Sequence, residues 1–274
     1  MNTNDFGTYT LEGWHARLLK LAQAMPANWF GKRLALVCRK LVLKNGPDII
    51  DSTIDRIHFR LHMRDNVSER KFLFLPQFFD VDERRLLNQE LSNDSIFVDI
   101  GANAGIYTLT AAATGATVLA IEPNPEVLER LHYNLTANGL SKQVTTLQKG
   151  VVNAKGAFEL KLDPRNLGGS SLVASHSGPS VTIECDLLEN LLIDAGITRI
   201  DILKIDIEGA EDQALIPFFQ HAPAKLYPDW IIIENSAAQW QHDLPAMFQS
   251  KGYQLVKRTR MNSIWRLSAQ ASLL

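Results

Sequence analysis

The hydrophobic and polar positions divide the chain into two parts. Over the first 50 or so residues the spacing is helical. Leu11, Trp14, Leu18 and Leu21 recur at intervals of three and four, and after Pro26 a second stripe runs through Phe30, Leu34, Val37 and Leu41. Asn45-Gly46-Pro47 ends this stretch. Ile57, Phe59, Leu61 and Met63 then alternate with His58, Arg60 and His62, the period of a half-buried strand with its histidines on the solvated face. Residues 81–91 read as a short helix with Asp82 as N-cap. From Ile96 onward strands and helices alternate. Strands are expected at 96–100, 117–121, 144–147, 200–205 and 230–234, with helices at 106–113, 127–135, 186–195, 210–219 and 244–250. Asn124 caps the helix after Pro123, with Pro125 at its first position and Gly139 beyond its end. Residues 157–162 and 181–185 suit a hairpin, and 253–257 with 263–267 form a closing strand pair with no helix between them. This order predicts an α/β fold, a mostly parallel sheet with crossover helices and one antiparallel strand at the end. The expected organisation is a helical extension over 1–50 and one α/β domain over 51–274.

Composition narrows the classes of function. At 274 residues, 46% hydrophobic and 21% charged, the chain can bury a full core without disulfide or metal. A formal charge of −2 gives no global attraction to nucleic acid, and no nucleic-acid partner is expected. Cys38 and Cys185 stand outside any CxxC or Cys/His cluster and read as reduced structural thiols of a cytoplasmic protein. No run is apolar for the roughly 18 residues a spanning helix needs, and no signal peptide is evident. Lys32, Arg33, Arg39, Lys40 and Lys44 surround the second N-terminal stripe. Such a helix is either an ordinary solvated face or a peripheral membrane contact. The oligomeric state leaves no signal.

Two motifs carry chemistry. In the stretch Ile96–Leu109, IFVDIGANAGIYTL, a strand ends in Asp99-Ile100-Gly101, followed by Asn103, Gly105 and a helix. Gly101 and Gly105 allow tight turning and close approach of backbone to a ligand. The spacing is GxxxG rather than the dinucleotide GxGxxG, and the acid at the strand end suits a ligand with a cationic end. S-adenosylmethionine, with its sulfonium, ammonium and carboxylate, fits that description. Glu122 ends the next strand about 20 residues after Gly101, where an acid reaches ribose hydroxyls in a βαβ unit. Gly150 and Val151 follow the third strand, where an adenine edge would pass.

The second motif is Leu203-Lys204-Ile205-Asp206-Ile207-Glu208-Gly209-Ala210-Glu211. Asp206 ends a strand, Glu208 sits in the turn, and Glu211 opens a helix whose dipole favours it. These acids can deprotonate a hydroxyl nucleophile or hold a divalent cation, and Glu234 ends a strand on the same rim. Residues 163–179 form a long polar insertion, expected to be a lid or acceptor loop with Asn166, Ser170, Ser171 and His176 as contacts.

At FVDIGANAGIYTL, AIEPNPE, Asn138-Gly139-Leu140 and LKIDIEGAE the sequence resembles the FkbM-type S-adenosylmethionine-dependent methyltransferases. The likeness runs from about Phe78 to Glu234. It implies a seven-stranded class I (Rossmann-like) methyltransferase sheet and O-methylation of a hydroxyl on a sugar, glycan or other small metabolite. It also implies that Asp99, Gly101, Asn103, Gly105 and Glu122 bind the donor, with Asp206 and Glu208 lining the reaction site. An N-methyltransferase, or a binding protein that has lost catalysis on this fold, are the alternatives. The resemblance does not name the acceptor.

Overall fold

The computed structural model describes residues 4–173 and 178–268. Two helices open the chain, α1 (Gly13–Ala24) and α2 (Trp29–Asn45). A hairpin of β1 (Ile49–Ile54) and β2 (Ile57–His62) follows, then α3 (Val67–Phe74) and α4 (Val81–Glu90). The alternating region contributes β3 (Ile96–Ile100), α5 (Ile106–Ala112), β4 (Thr117–Ile121), α6 (Pro125–Ala137), β5 (Val144–Leu147) and β6 (Gly150–Val151). After β7 (Gly156–Lys161) and β8 (Ser180–Asp186) come α7 (Leu188–Asp194), β9 (Ile202–Ile205), α8 (Glu211–His221) and β10 (Trp230–Glu234). The described chain closes with α9 (Leu244–Ser250), β11 (Tyr253–Arg258) and β12 (Asn262–Leu267).

Seven strands form the main sheet in the order β11-β12-β10-β9-β3-β4-β5. β12 is antiparallel to both its neighbours, while the β10–β9–β3–β4–β5 pairings are parallel. The expected sheet is therefore present, with one refinement. The final strand does not lie at the sheet's edge but inserts between β10 and β11. β7 and β8 pair as expected and join β6 in a small separate sheet.

The central strands are apolar throughout because both faces are covered. Phe97, Val118, Ala120, Ile202 and Ile232 pack on one side with α1 to α6. Val98, Ile100, Leu119, Leu203, Ile205 and Ile231 pack on the other with α7, α8 and α9. Successive residues alternate between the two cores, as the pleat requires. Two charged and buried residues break the run as register partners, Asp99 on β3 and Lys204 on the Ile202 side of β9. From β3 the chain winds outward through β4 and β5, then returns to β9 on the opposite side. The β3–β9 junction is thus the topological switch point, and its carboxyl end is where an open α/β sheet presents a ligand crevice.

Local corrections are physical. Asp80, not Asp82, occupies the cap position of α4, in the left-handed region at φ 40° and without a capping bond. Asp82 lies in the first turn. The polar face of β2 is not freely solvated: Arg60 is buried against Asp51 with Nε–Oδ1 of 2.8 Å, and burial lowers His62 to about 4. The side chains of Asn134 on α6 and Asn138 just past its end accept the Arg60 and His58 amides. In the N-terminal pair the stripes read from the sequence are only partly the buried ones: Leu11 is buried and Leu18 packs against the core. Leu19, Ala22, Ala35, Cys38 and Val42 face the core, whereas Trp14, Leu21, Phe30, Leu34, Val37 and Leu41 are exposed. Gly31 lets the turn between α1 and α2 close tightly: a side chain there would strike the Pro26 carbonyl. Cys38 and Cys185 are buried and unpaired, and burial pushes the Cys185 thiol up to about 11. Among the described residues no helix is long and apolar enough to cross a membrane.

Candidate active site

A cavity of about 280 Å³ opens at the carboxyl ends of β3, β4, β9 and β10. Its floor is the loop from Gly101 to Ile106. Gly101 has φ 76°, and a side chain there would run into the Asp206 carbonyl at the end of β9. The glycine is needed by the protein's own backbone, which lets β3 and β9 converge under the site. Gly105 has φ 94°, lies outside the cavity lining, and leaves room for Leu109 and Leu131 where α5 meets α6. Its role is helix packing rather than ligand approach.

Asp99 is likewise not on the wall. It is fully buried, accepts the Thr108 hydroxyl at 2.6 Å, and lies 3.4 Å from Lys204 Nζ. The two residues are register partners on adjacent parallel strands, so both side chains leave the same sheet face. Lys204, whose Nζ also donates to the Gly101 carbonyl at 2.7 Å and lies 3.8 Å from Asp206, is the group that lines the cavity. Burial disfavours its charge, but Asp99 and Asp206 more than offset this and raise its pKa. Asp99 therefore acts one layer back, as the anchor of a lysine that sequence reasoning left without a role. A charged residue in the otherwise apolar strand ILKI was the available signal.

Glu122 lines the cavity and is buried. Its Oε2 accepts the Asn103 amide and its Oε1 the Asn124 amide, both at 2.9 Å. Burial pushes its pKa up to about 7 against those two bonds and Lys204. Asn103, at φ 51°, also lines the wall, its Oδ1 accepting from Asn66 Nδ2 at 2.7 Å. Asn124 does not line the wall. Its side chain caps α6 by accepting the Glu126 amide at 3.0 Å. Gly150 and Val151 form part of the wall with Leu160 and Leu172, an apolar surface on the same side as Glu122.

Across the cavity stand Asp206, Glu208 and Glu234. Glu208 has φ 55°, a conformation that costs roughly 1–3 kcal/mol for a residue with a side chain. The turn is held by Glu211, which is buried and accepts the Ile207 and Gly209 amides at 2.9 and 3.2 Å and the Trp240 indole at 2.7 Å. Burial and the charges of Asp206, Glu234 and Glu211 push Glu208 up to about 8. Burial and Asp206 push Glu234 up to about 7, with the Ser236 hydroxyl donating to it at 2.7 Å.

Described residues of the insertion line the cavity. Asn166 and Ser170 line the cavity, and Asn166 Oδ1 accepts the Val67 amide at 3.0 Å. Ser171 does not line it. Its hydroxyl donates to the Glu208 carbonyl at 3.0 Å and so helps hold the strained turn. His176 lies outside the described residues. Residues 99–255, more than half of the chain and including every strand end just described, match the Methyltransferase FkbM domain.

The chain belongs to the FkbM methyltransferase family.

It is thus an S-adenosylmethionine-dependent methyltransferase. Methyltransferase sdnD of Sordaria araneosa is 24% identical, over 79% of this chain and 93% of that protein. Hexuronic acid methyltransferase AglP of Haloferax volcanii is 28% identical over 49% of this chain, which spans only about half, 54%, of that relative. A crystal structure of a methyltransferase FkbM from Methylobacillus flagellatus KT aligns with a TM-score of 0.43 at 17% identity, covering 74% of this chain and 55% of that one. At that distance it adds nothing to the assignment.

The donor set fits the family's cofactor. Glu122 offers acceptors for ribose hydroxyls, Val151, Leu160 and Leu172 an apolar wall for a base, Lys204 a cation for a carboxylate, and Asp206 an anion for an ammonium group. Among the described residues no group of three or more His, Cys, Asp or Glu is placed to hold a metal ion. This FkbM chain also lines its cavity with Asp80, Lys71, Tyr107 and Lys149, which the sequence did not flag. Tyr107 donates to Asp80 at 3.1 Å, a contact between α5 and the start of α4 that no local pattern encodes.

Proposed function

We propose that this enzyme transfers a methyl group to a hydroxyl oxygen of a sugar, glycan or similar small metabolite, with Glu208 and Glu234 handling the proton. The observation that carries this reading is the pair of carboxylates at one cavity, lifted to about 8 and about 7. A general base works best when its pKa lies near the working pH.

The donor, when bound, supplies a methyl carbon already activated by its sulfonium. The chain's own residues then have four tasks. Glu122, Asn103 and Lys204 hold the donor's polar groups at the switch point. Asp206 neutralises its ammonium end. The loop carrying Asn166 and Ser170 covers the mouth and excludes water, which also aligns the acceptor. An ionised Glu208 or Glu234 would accept the proton of the acceptor's hydroxyl, whose oxygen would take the methyl group as the donor leaves as S-adenosylhomocysteine. The products are a methyl ether, S-adenosylhomocysteine and a protonated carboxyl that later releases its proton to water.

The printed name of the Haloferax relative, a hexuronic acid methyltransferase, supports a carbohydrate acid as the first acceptor class to test. A second reading follows from Lys71 and Lys149, which line the same cavity. They suit an acceptor carboxylate, so the methylated oxygen could be the acid's own. The experiment is a homocysteine-release screen with hexuronates, neutral hexoses, nucleotide sugars and simple amines, followed by alkaline treatment of any product. An alkali-stable methyl ether supports the hydroxyl reading, and an alkali-labile methyl ester supports the carboxylate reading. Turnover on amines alone overturns both.

A further inference from the structure

The apolar residues left outside the core by α1 and α2 have a definite geometry. On α2, Phe30, Leu34, Val37 and Leu41 fall at i, i+4, i+7 and i+11, a single stripe along the helix. They are 77, 45, 52 and 45% exposed. The core-facing stripe is separate: Gly31, Ala35, Cys38 and Val42 lie about 100° further round the same helix. On the other side of the exposed stripe, again by helical spacing, run Arg33, Lys40 and Lys44. Trp29 stands at the head of the helix, 63% exposed, with its ring 4.9 Å from that of Phe30 and under the Arg33 guanidinium. On α1, Trp14 and Leu21 are also exposed, one heptad apart.

The charge is as uneven as the apolarity. Residues 13–45 hold seven of the chain's 28 lysines and arginines and none of its 30 acids, leaving 21 cations against 30 acids elsewhere. Among the described residues none of these seven takes part in an ion pair. We propose that α1 and α2 form a docking surface for an anionic lipid membrane, with the α2 stripe entering the headgroup boundary and the flanking cations meeting lipid phosphates. Isolated exposed hydrophobes are ordinary, but a continuous apolar stripe beside unpaired cations, with tryptophan and phenylalanine at one end, is the pattern of a helix lying in a membrane interface. A convex helix ridge also lacks the concavity that would receive a small ligand. The other occupant such a face could have is a second copy of this chain. Stripe against stripe, such a contact would bring the two sets of seven cations together, which argues against it. The proposal does not depend on what the cavity methylates.

The test is vesicle co-sedimentation of the full chain. Two vesicles are used, phosphatidylcholine alone and phosphatidylcholine mixed with phosphatidylglycerol. The wild-type protein should sediment with the mixed vesicles at least about tenfold better than with the neutral ones, and lose most of that preference in high salt. Leu34→Glu with Val37→Glu, and separately Arg33→Glu with Lys40→Glu, should each reduce binding about tenfold or more. All four side chains point to solvent, so the melting curves should match wild type, and homocysteine release or donor binding should be unchanged. Equal sedimentation with both vesicles, or unchanged binding by both double variants, overturns the proposal. So does sedimentation velocity that finds a dimer abolished by Leu34→Glu/Val37→Glu in a protein that ignores vesicles.

Discussion

The acids at the switch point fall into two groups that behave differently. Asp99, Glu122 and Glu211 are buried and each is bound by its own protein: Asp99 by Thr108 and Lys204, Glu122 by two loop amides, Glu211 by two amides and an indole. Glu208 and Glu234 are partly buried, face other carboxylates, and receive little in return; Glu234 has the Ser236 hydroxyl. The first group shapes the backbone around the cavity. The second shares the raised proton affinity of Glu122 but holds no backbone amides, so its oxygens are open to the cavity. Substituting members of the two groups should therefore damage different properties.

The largest effect should come from breaking the Asp99–Lys204 pair. Lys204→Met leaves a fully buried carboxylate without its cation, at a cost of about 3–5 kcal/mol. Urea denaturation reads this directly, and a loss below about 1 kcal/mol would place the pair outside the structural group. Next, Glu122→Gln keeps the shape but removes the charge and opposes one loop amide with an NH₂ group. Donor affinity, measured calorimetrically with S-adenosylhomocysteine, should fall about tenfold, the scale of one charge-assisted hydrogen bond. Because Glu122 lies up at about 7, wild-type donor affinity should itself decline as pH falls below that value.

A third prediction concerns pH and stability. Glu208, Glu234 and Glu122 have folded pKa values above the ordinary carboxylate value, so between about 4.5 and 8 the native state holds more protons than the unfolded one. Their contribution is fully present at low pH and is lost as pH rises through 7 to 8. The melting temperature of the ligand-free enzyme should drop by a few degrees from this source between pH 6 and pH 9, and Glu208→Gln should flatten the profile. A profile as steep in Glu208→Gln as in wild type would remove Glu208 from the second group. The smallest effect is expected at the mouth. Asn166→Ala removes one loop hydrogen bond, about 1 kcal/mol, and should raise the acceptor KM about fivefold with little change in donor affinity.

How far the sequence reveals this division depends on the range of the interactions. The strand–loop–helix periods around Gly101 and Glu122 are local, so the position of the cavity could be read from them. Whether an acid faces the cavity or the layer behind it depends on sheet register and crossing strands. Asp99 was therefore expected at the ligand, yet it sits behind Lys204, which comes from β9 more than 100 residues later. Gly105 and Asn124 are similar cases: their residue types mark tight geometry, which helix packing and capping use here. Glu208 and Glu234 were picked out because each ends a strand or opens a turn at the rim, and both line the cavity. Tyr107 with Asp80 was not found, because α4 reads as an ordinary surface helix. In the N-terminal helices apolar spacing gave the helices correctly, and Leu11 and Leu18 do turn inward, but the large apolar stripe of α2 faces out because Gly31, Ala35, Cys38 and Val42 line its inner side.

The central claim is that Glu208 and Glu234 serve the chemistry and not the donor. It is tested by measuring turnover and S-adenosylhomocysteine affinity together in Glu208→Gln and Glu234→Gln, using an acceptor from the homocysteine-release screen. The account predicts that at least one variant loses about 10²-fold or more in kcat while its donor affinity stays within about threefold of wild type, and that the wild-type rise in kcat/KM between pH 6 and 8 disappears in it. Turnover and donor affinity falling together in both variants, with the pH profile unchanged, would contradict it.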